Sequence, residues 1–514
     1  MTTTELRKTG RPKGVASRFR WIFLAPLVGF VALLAWGFAS PIGAGPDDDF
    51  HLVSIWCANG NSPQCLPGSE ENTRILPTAF RDVACYAQYA ERSAVCQESV
   101  FPRGDSDVWE TDRGNFAGEY PPVYYAVMHI FAGEDIQTSA LIMRAVNAAL
   151  FVALATVLAV LLPRTRTRTL LWGWLITLVP LGMFLIPSNN PSGWAITGVG
   201  TAFLALLGWF ESDGRRHWAL GAVYLVGVVM AAGARGDAAV YVAGATVTVM
   251  ILTAARTRVW ALWSILPAVG LLIAFFFFAS AGQAGVGAIG FSGGGGATNP
   301  VAGDVTGVEA PLTGLSLAAY NLLMLPFLWT GVWGSWGLGW LDTQLPAIVP
   351  WAATAAFIVV GFAGLGLLTW RKAIATSGVL SVLVILPVYV LTVGADKVGA
   401  NLQPRYLLPL IVLFAFLLLT EPAGRGLRFT RVQTFAILAA LALANLVALQ
   451  VNIRRYVTGA DQQGLNLDAG AEWWWSAFPI GPSAVWIIGA LAYAGLLALL
   501  WPELRKDRAL DRVA

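Results

Sequence analysis

Apolar runs long enough to cross a bilayer recur along this chain, and they constrain its fold more than any other feature. A spanning helix needs roughly 20 consecutive, mostly apolar residues. Twelve runs come close to or exceed that length, at about 21–39, 138–162, 170–188, 194–210, 218–233, 238–254, 259–280, 347–369, 375–393, 406–420, 432–449 and 483–501. In hydrocarbon each segment must satisfy its own backbone hydrogen bonds, so such runs become helices. The expected fold class is an all-α polytopic membrane protein with about 12 transmembrane helices. Composition agrees: 12% of the 514 residues are charged, against roughly 25% in a soluble domain. A net charge of +3 without a basic stripe argues against a nucleic-acid partner.

Charge placement orients the runs. With the N-terminus in the cytoplasm, 22 of the 33 Lys and Arg fall inside, with only 7 of the 30 Asp and Glu. That is the asymmetry the positive-inside rule describes. The expected organisation is a basic cytoplasmic N-terminus (1–20), a transmembrane domain (21–501) and a cytoplasmic tail (502–514). Three long external loops lie at 41–137, 281–346 and 450–482. The first run reads as an uncleaved helix, because about 19 apolar residues exceed a signal h-region and no A-x-A site follows.

All four cysteines, Cys57, Cys65, Cys85 and Cys96, fall in the first external loop. Confinement to one external loop points to two disulfides. Neighbours in sequence suggest Cys57–Cys65 and Cys85–Cys96, although three pairings exist. Metal binding is the rival, but no pair is spaced C-x-x-C and the only nearby histidines are His51 and His129. The loop closes on GEYPPVYYAVMHIF (118–131), too short to span and suited to the interface. The second loop opens on a Gly-rich stretch (293–296) and then carries Trp329, Trp333, Trp336 and Trp340. The third carries Trp473, Trp474 and Trp475. Tryptophans at these depths are expected as interfacial anchors, with sugar stacking as the alternative for one or two.

Three consecutive aspartates, Asp47, Asp48 and Asp49, follow the first apolar run. Adjacent like charges at a membrane boundary repel one another, so a reaction accounts for them better than a fold does. Other polar residues gather at the same predicted face: Arg144, Asn189, Asn190, Arg235 with Asp237, Asp342, Lys397, and Arg405 with Tyr406. Arg144 lies inside its helix and must face protein, water or a headgroup. Arg235 and Asp237 are close enough in sequence to pair with each other. A carboxylate can take the proton of an attacking hydroxyl, and arginines can neutralise a leaving phosphate. The expected reaction is transfer of a sugar from a polyprenyl-phosphate donor to an acceptor outside the membrane. A lipid or lipid-linked saccharide transporter without chemistry needs similar groups, and so does a glycan polymerase or ligase using a diphosphate-linked donor. No P-loop or Rossmann fingerprint is present, which removes cytoplasmic nucleotide chemistry.

Four short segments carry a family resemblance. PDDDFH (46–51), PPVYY (121–125), GWLDTQLP (339–346) and PRYLLP (404–409) occur in the order seen in a bacterial polytopic membrane family called domain of unknown function 2142. That family resembles the GT-C glycosyltransferases, which include protein O-mannosyltransferases and the aminoarabinose transferase of lipid A. The resemblance implies a GT-C-like helical fold with interfacial helices in the first external loop. It also implies an external active site in a bacterial plasma membrane and an inverting reaction on an envelope glycan or lipid acceptor. By position, Asp47 and Asp48 match the family's acidic pair and His51 its histidine; a second register selects Asp48 and Asp49. Asp48 belongs to both registers and is the first candidate for the base, with Asp47 second. Arg405, Arg235, Arg144, Tyr406, His51, Tyr124 and Asp342 are the candidates for donor and substrate binding. No metal or other cofactor is expected, since mannosyltransferase-like relatives work without one. Asp49 stands where the family usually has proline, and Gln403-Pro404 replaces the glycine usual before Arg405.

Overall fold

A computed structural model describes residues 13–60, 62–103, 107–282, 312–421, 426–476 and 478–505. Among these described residues eighteen α-helices follow one another: α1 (Lys13–Phe38), α2 (Asp48–Trp56), α3 (Ala79–Asp82), α4 (Val123–His129), α5 (Ile136–Leu161), α6 (Arg164–Leu178), α7 (Leu181–Leu185), α8 (Ser192–Glu211), α9 (Gly214–Ala232), α10 (Gly236–Thr253), α11 (Arg258–Trp263), α12 (Ile265–Ser280), α13 (Gly314–Thr330), α14 (Ile348–Leu365), α15 (Trp370–Val393), α16 (Pro404–Leu419), α17 (Arg431–Val457) and α18 (Pro482–Arg505). Among the described residues nine helical stretches are long and apolar enough to cross a membrane, and two shorter apolar helices, Phe23–Phe38 and Pro404–Leu419, accompany them. The protein is an all-α polytopic membrane protein.

Helix α8 is the hub. Nearly all of its Ser192–Glu211 stretch is buried, and it packs against α5, α9, α10 and α16. Glycines allow the closest approach: a Cβ at Gly198 would lie 2.6 Å from the Gly227 carbonyl of α9. Lipid-facing helices such as α12 and α14 instead expose Leu272, Phe275, Phe276 and Phe362, as a bundle in hydrocarbon requires.

One apolar run and one expected loop depart from the sequence expectation. The stretch 170–188 is not one helix: Pro180 follows the end of α6, and α7 restarts at Leu181. Proline cannot continue an α-helix without losing a hydrogen bond. The stretch 281–346, expected as an aromatic external loop, contains α13, whose Gly314–Trp333 region is apolar enough to span. Asn321 and Pro326 interrupt its pattern. The segment nevertheless starts and finishes beside the first loop, for Gly282 donates to the Gly118 carbonyl and Trp340 to the Gly43 carbonyl. The Gly-rich stretch 293–296 lies outside the described residues, as does most of the tail.

The first loop is folded. Disulfides join Cys57 to Cys65 and Cys85 to Cys96, the expected pairing. The loop also holds a three-stranded antiparallel sheet that the sequence reading did not anticipate: β1 (Leu66–Pro67), β2 (Arg74–Pro77) and β3 (Val108–Thr111), in that spatial order. Strands of two to four residues are too short to show alternation. Most of the expected interfacial tryptophans are internal stitches instead. Trp333, Trp336, Trp473 and Trp475 are buried, and Trp333, Trp336 and Trp475 donate to the carbonyls of Ile176, Phe327 and Phe38.

Candidate active site

The acidic triad sits where the first loop meets the bundle, and each aspartate has a different environment. Pro46 ends the lead-in, and its carbonyl accepts two hydrogen bonds, from Arg405 Nη1 at 3.0 Å and Asn190 Nδ2 at 2.7 Å. Asp47 then adopts a left-handed conformation, φ 59°. That conformation is costly for a residue with a Cβ, and such costs concentrate at functional sites. Helix α2 starts at the next residue.

The Asp47 carboxylate is 27% exposed and pairs with Arg405 Nη2 at 2.5 Å, with Arg113 Nη2 further off at 3.8 Å. Burial works to raise its pKa, but Arg405 outweighs that, with help from Arg113. The net result lies below the ordinary carboxylate value. Asp49 is gripped by Arg113 in a two-pronged bond from Nε and Nη2.

Asp48 is fully enclosed. One carboxylate oxygen accepts from the Gly45 N–H at 2.9 Å, and the other has no hydrogen-bond partner among the described residues. Burial pushes its pKa up to about 6, against the pull of Arg144 and the Gly45 N–H. Gly45 is required here, because a Cβ would lie 2.4 Å from that partnerless oxygen.

His51 points inward from α2, its Nδ1 2.9 Å from the Tyr125 hydroxyl. Burial holds its pKa down at about 3, so it is a neutral hydrogen-bonding group. Tyr120 lies against His51, and Tyr124 stands edge-on to Trp194.

The arginines separate into three roles. Arg405 binds the Pro46 carbonyl, Asp47 and the Tyr406 hydroxyl. Arg235 makes a two-pronged bond to Asp237, both contacts at 2.9 Å, and lies 4.8 Å from the centre of the Tyr406 ring, as Arg405 does. Arg144 takes no part in this group. It donates to the carbonyls of Gly37, Ser40 and Pro41 and to Asn189, capping the carboxyl end of α1 as a cation does favourably. Asp342 is also a tether, holding Arg455 at 2.8 Å and the Gln88 N–H at 3.1 Å. Lys397 is exposed above Tyr320.

The structure thus brings Asp47, Asp48, His51, Arg405, Arg235 and Tyr406 together, and places Arg144, Asp342 and Tyr124 in the supporting frame. Sequence reading missed Arg113, Tyr125 and the role of Asn190. Arg113 is one of many charged residues in a polar loop, and only the paired acids mark it. Among the described residues no cluster of His, Cys, Asp or Glu has the makings of a metal site.

The chain belongs to the family described as "Predicted membrane protein (DUF2142)", whose profile matches residues 30–414. That span contains the triad, the Arg113 loop, Arg235 and Arg405. No curated protein and no solved structure matches the chain.

Proposed function

We propose that this DUF2142 protein is an inverting membrane glycosyltransferase. It takes a sugar from a polyprenyl-phosphate donor and passes it to an envelope glycan or lipid on the outer side of the bacterial plasma membrane, both termini being cytoplasmic. One observation carries this reading: a partly exposed carboxylate, Asp47, in direct contact with a buried arginine, Arg405, at the junction of the bundle and the first loop. A proton acceptor and a phosphate-binding cation side by side are the two groups that transfer from a lipid phosphate needs.

Asp47 takes the proton of the acceptor hydroxyl as that oxygen bonds to the anomeric carbon. The bond from that carbon to the phosphate oxygen breaks on the opposite side, and polyprenyl phosphate leaves with the electron pair. Attack from the face opposite the leaving group inverts the configuration. Arg405 offsets the charge that grows on the leaving phosphate. Asp48 ranks first by sequence register, but its enclosure favours Asp47 for the contact with acceptor. Asp48 then holds the 45–48 turn through Gly45. Arg235, already bound to Asp237, supports Tyr406 and Tyr120 with its face.

Mass spectrometry of envelope glycans in a deletion strain tests the proposal. Loss of one sugar substituent, restored by the wild-type gene and not by Asp47→Asn, is expected. An unchanged glycan profile together with a lipid accumulating in one leaflet favours a transporter.

A further inference from the structure

Arg405 has donor capacity left over. Its Nη atoms are taken by Pro46, Asp47 and Tyr406, but its Nε is buried and has no hydrogen-bond partner among the described residues. A buried, unpartnered N–H of a charged group costs several times what an ordinary hydrogen bond contributes, and its presence calls for an acceptor. Arg405 also lines a partly open cavity of about 20 Å³, bounded by Leu181, Trp336, the Gly337–Leu341 turn and the start of α16. That volume admits one oxygen atom or one water.

Two backbone features line the cavity. The N-terminus of the 16-residue α16 opens at Gln403 and Pro404 on one side, presenting the positive end of the helix dipole. On the other, Gly337, Gly339 and Leu341 all have positive φ, at 82°, 63° and 64°. Leu341 adopts this conformation although it has a side chain, a cost that glycine would avoid. The remaining walls are apolar, so Arg405 is the charged group available to an anion there.

We propose that this cavity is the seat of a single oxygen of the donor phosphate, held by Arg405 Nε between the α16 N-terminus and the 337–341 turn. It rests on the donor assignment above and adds where the phosphate sits. One guanidinium then touches both reacting partners: the phosphate on Nε and the Asp47 carboxylate on Nη2. Every donor nitrogen of Arg144 is engaged elsewhere, and Nε and Nη2 of Arg235 hold Asp237, so the seat is assigned to Arg405 alone.

Calorimetric titration of the detergent-solubilised full chain with polyprenyl monophosphate, the matching polyprenol and inorganic phosphate provides the test. The monophosphate is expected to bind at least tenfold more tightly than the alcohol, and inorganic phosphate to compete with it weakly. Arg405→Lys keeps the charge but loses the Nε–H, and Leu181→Phe fills the cavity. Each should weaken the monophosphate about tenfold or more, a charge-assisted hydrogen bond's worth, without changing polyprenol affinity. Exposed Lys397→Ala should bind as wild type. Equal wild-type affinity for monophosphate and polyprenol overturns the seat, whether or not the variants fold. So does unchanged monophosphate affinity in folded Arg405→Lys and Leu181→Phe. If the monophosphate binds as described but no sugar is ever transferred, the seat stands and the glycosyltransferase assignment falls.

Discussion

The two ends of the bundle both bury charge, but they use it differently. At the end away from the first loop, Lys372 is almost fully buried and donates to the carbonyls of Gly364, Leu418 and Thr420. Thr169 takes the Leu419 carbonyl, and Arg166 takes that of Glu421 while pairing with Glu211. These groups close the carboxyl end of α16, where cations complement the dipole and satisfy orphan carbonyls. At the opposite end of the same helix, among the described residues, Arg405 keeps a partnerless Nε and Asp48 a partnerless oxygen, and the Asp47 carboxylate is partly open to the outside. Burial of charge alone therefore does not mark a site. A site is marked by buried charge with capacity left over, beside a space that a ligand atom can enter.

That contrast can be broken most sharply at Asp47. Asp47→Asn should lower transfer by about a hundred- to ten-thousandfold, the usual contribution of a positioned base, and Asp48→Asn should cost less. An inactive Asp48→Asn beside an active Asp47→Asn moves the base to Asp48.

Asp48 sharpens the comparison through stability. Its pKa rises from 3.8 unfolded to about 6 folded, so the folded state binds the proton more tightly. Its contribution is greatest at low pH and is lost as pH rises from about 4 to about 6, by about 3 kcal/mol. Asp48→Asn, which cannot ionise, should be more stable than wild type at pH 7, with the gap closing towards pH 4 in thermal melts. A gap independent of pH means that Asp48 is not a destabilised buried acid.

At the far end, Lys372→Ala leaves three carbonyls without their cation and should cost about 1–3 kcal/mol. Transfer by the folded fraction should stay within a few-fold of wild type. A large loss of transfer at unchanged stability would erase the distinction between the two ends. The most local effect is expected in the first loop, where Cys57→Ser with Cys65→Ser opens an eight-residue separation. Loss of about 2 kcal/mol is expected from the entropic model, read as earlier proteolysis of the loop.

Most of the membrane architecture was legible because long apolar runs admit only one backbone solution. The breaks were not. Pro180 divides a run that hydropathy reads as continuous, and Asn321 and Pro326 disguise α13. The disulfides were legible from short separations within one loop. Within the site, the triad and Arg405 stand out because charge at a membrane boundary is scarce. Arg113 does not, because its meaning depends on a fold that brings residue 113 to residue 49. Arg144 is equally conspicuous in sequence, yet only the fold reveals that it serves the end of α1. A residue's need for a partner can be read from a sequence, but which partner it finds cannot.

One measurement bears most directly on the assignment: the fate of the anomeric bond in a polyprenyl-phosphate sugar incubated with purified protein and an envelope acceptor fraction. Release of one polyprenyl phosphate per sugar transferred, with inverted anomeric configuration by NMR and no release by Asp47→Asn, is the expected result. Recovery of the donor intact, moved between leaflets without cleavage, would contradict it and make the protein a lipid transporter.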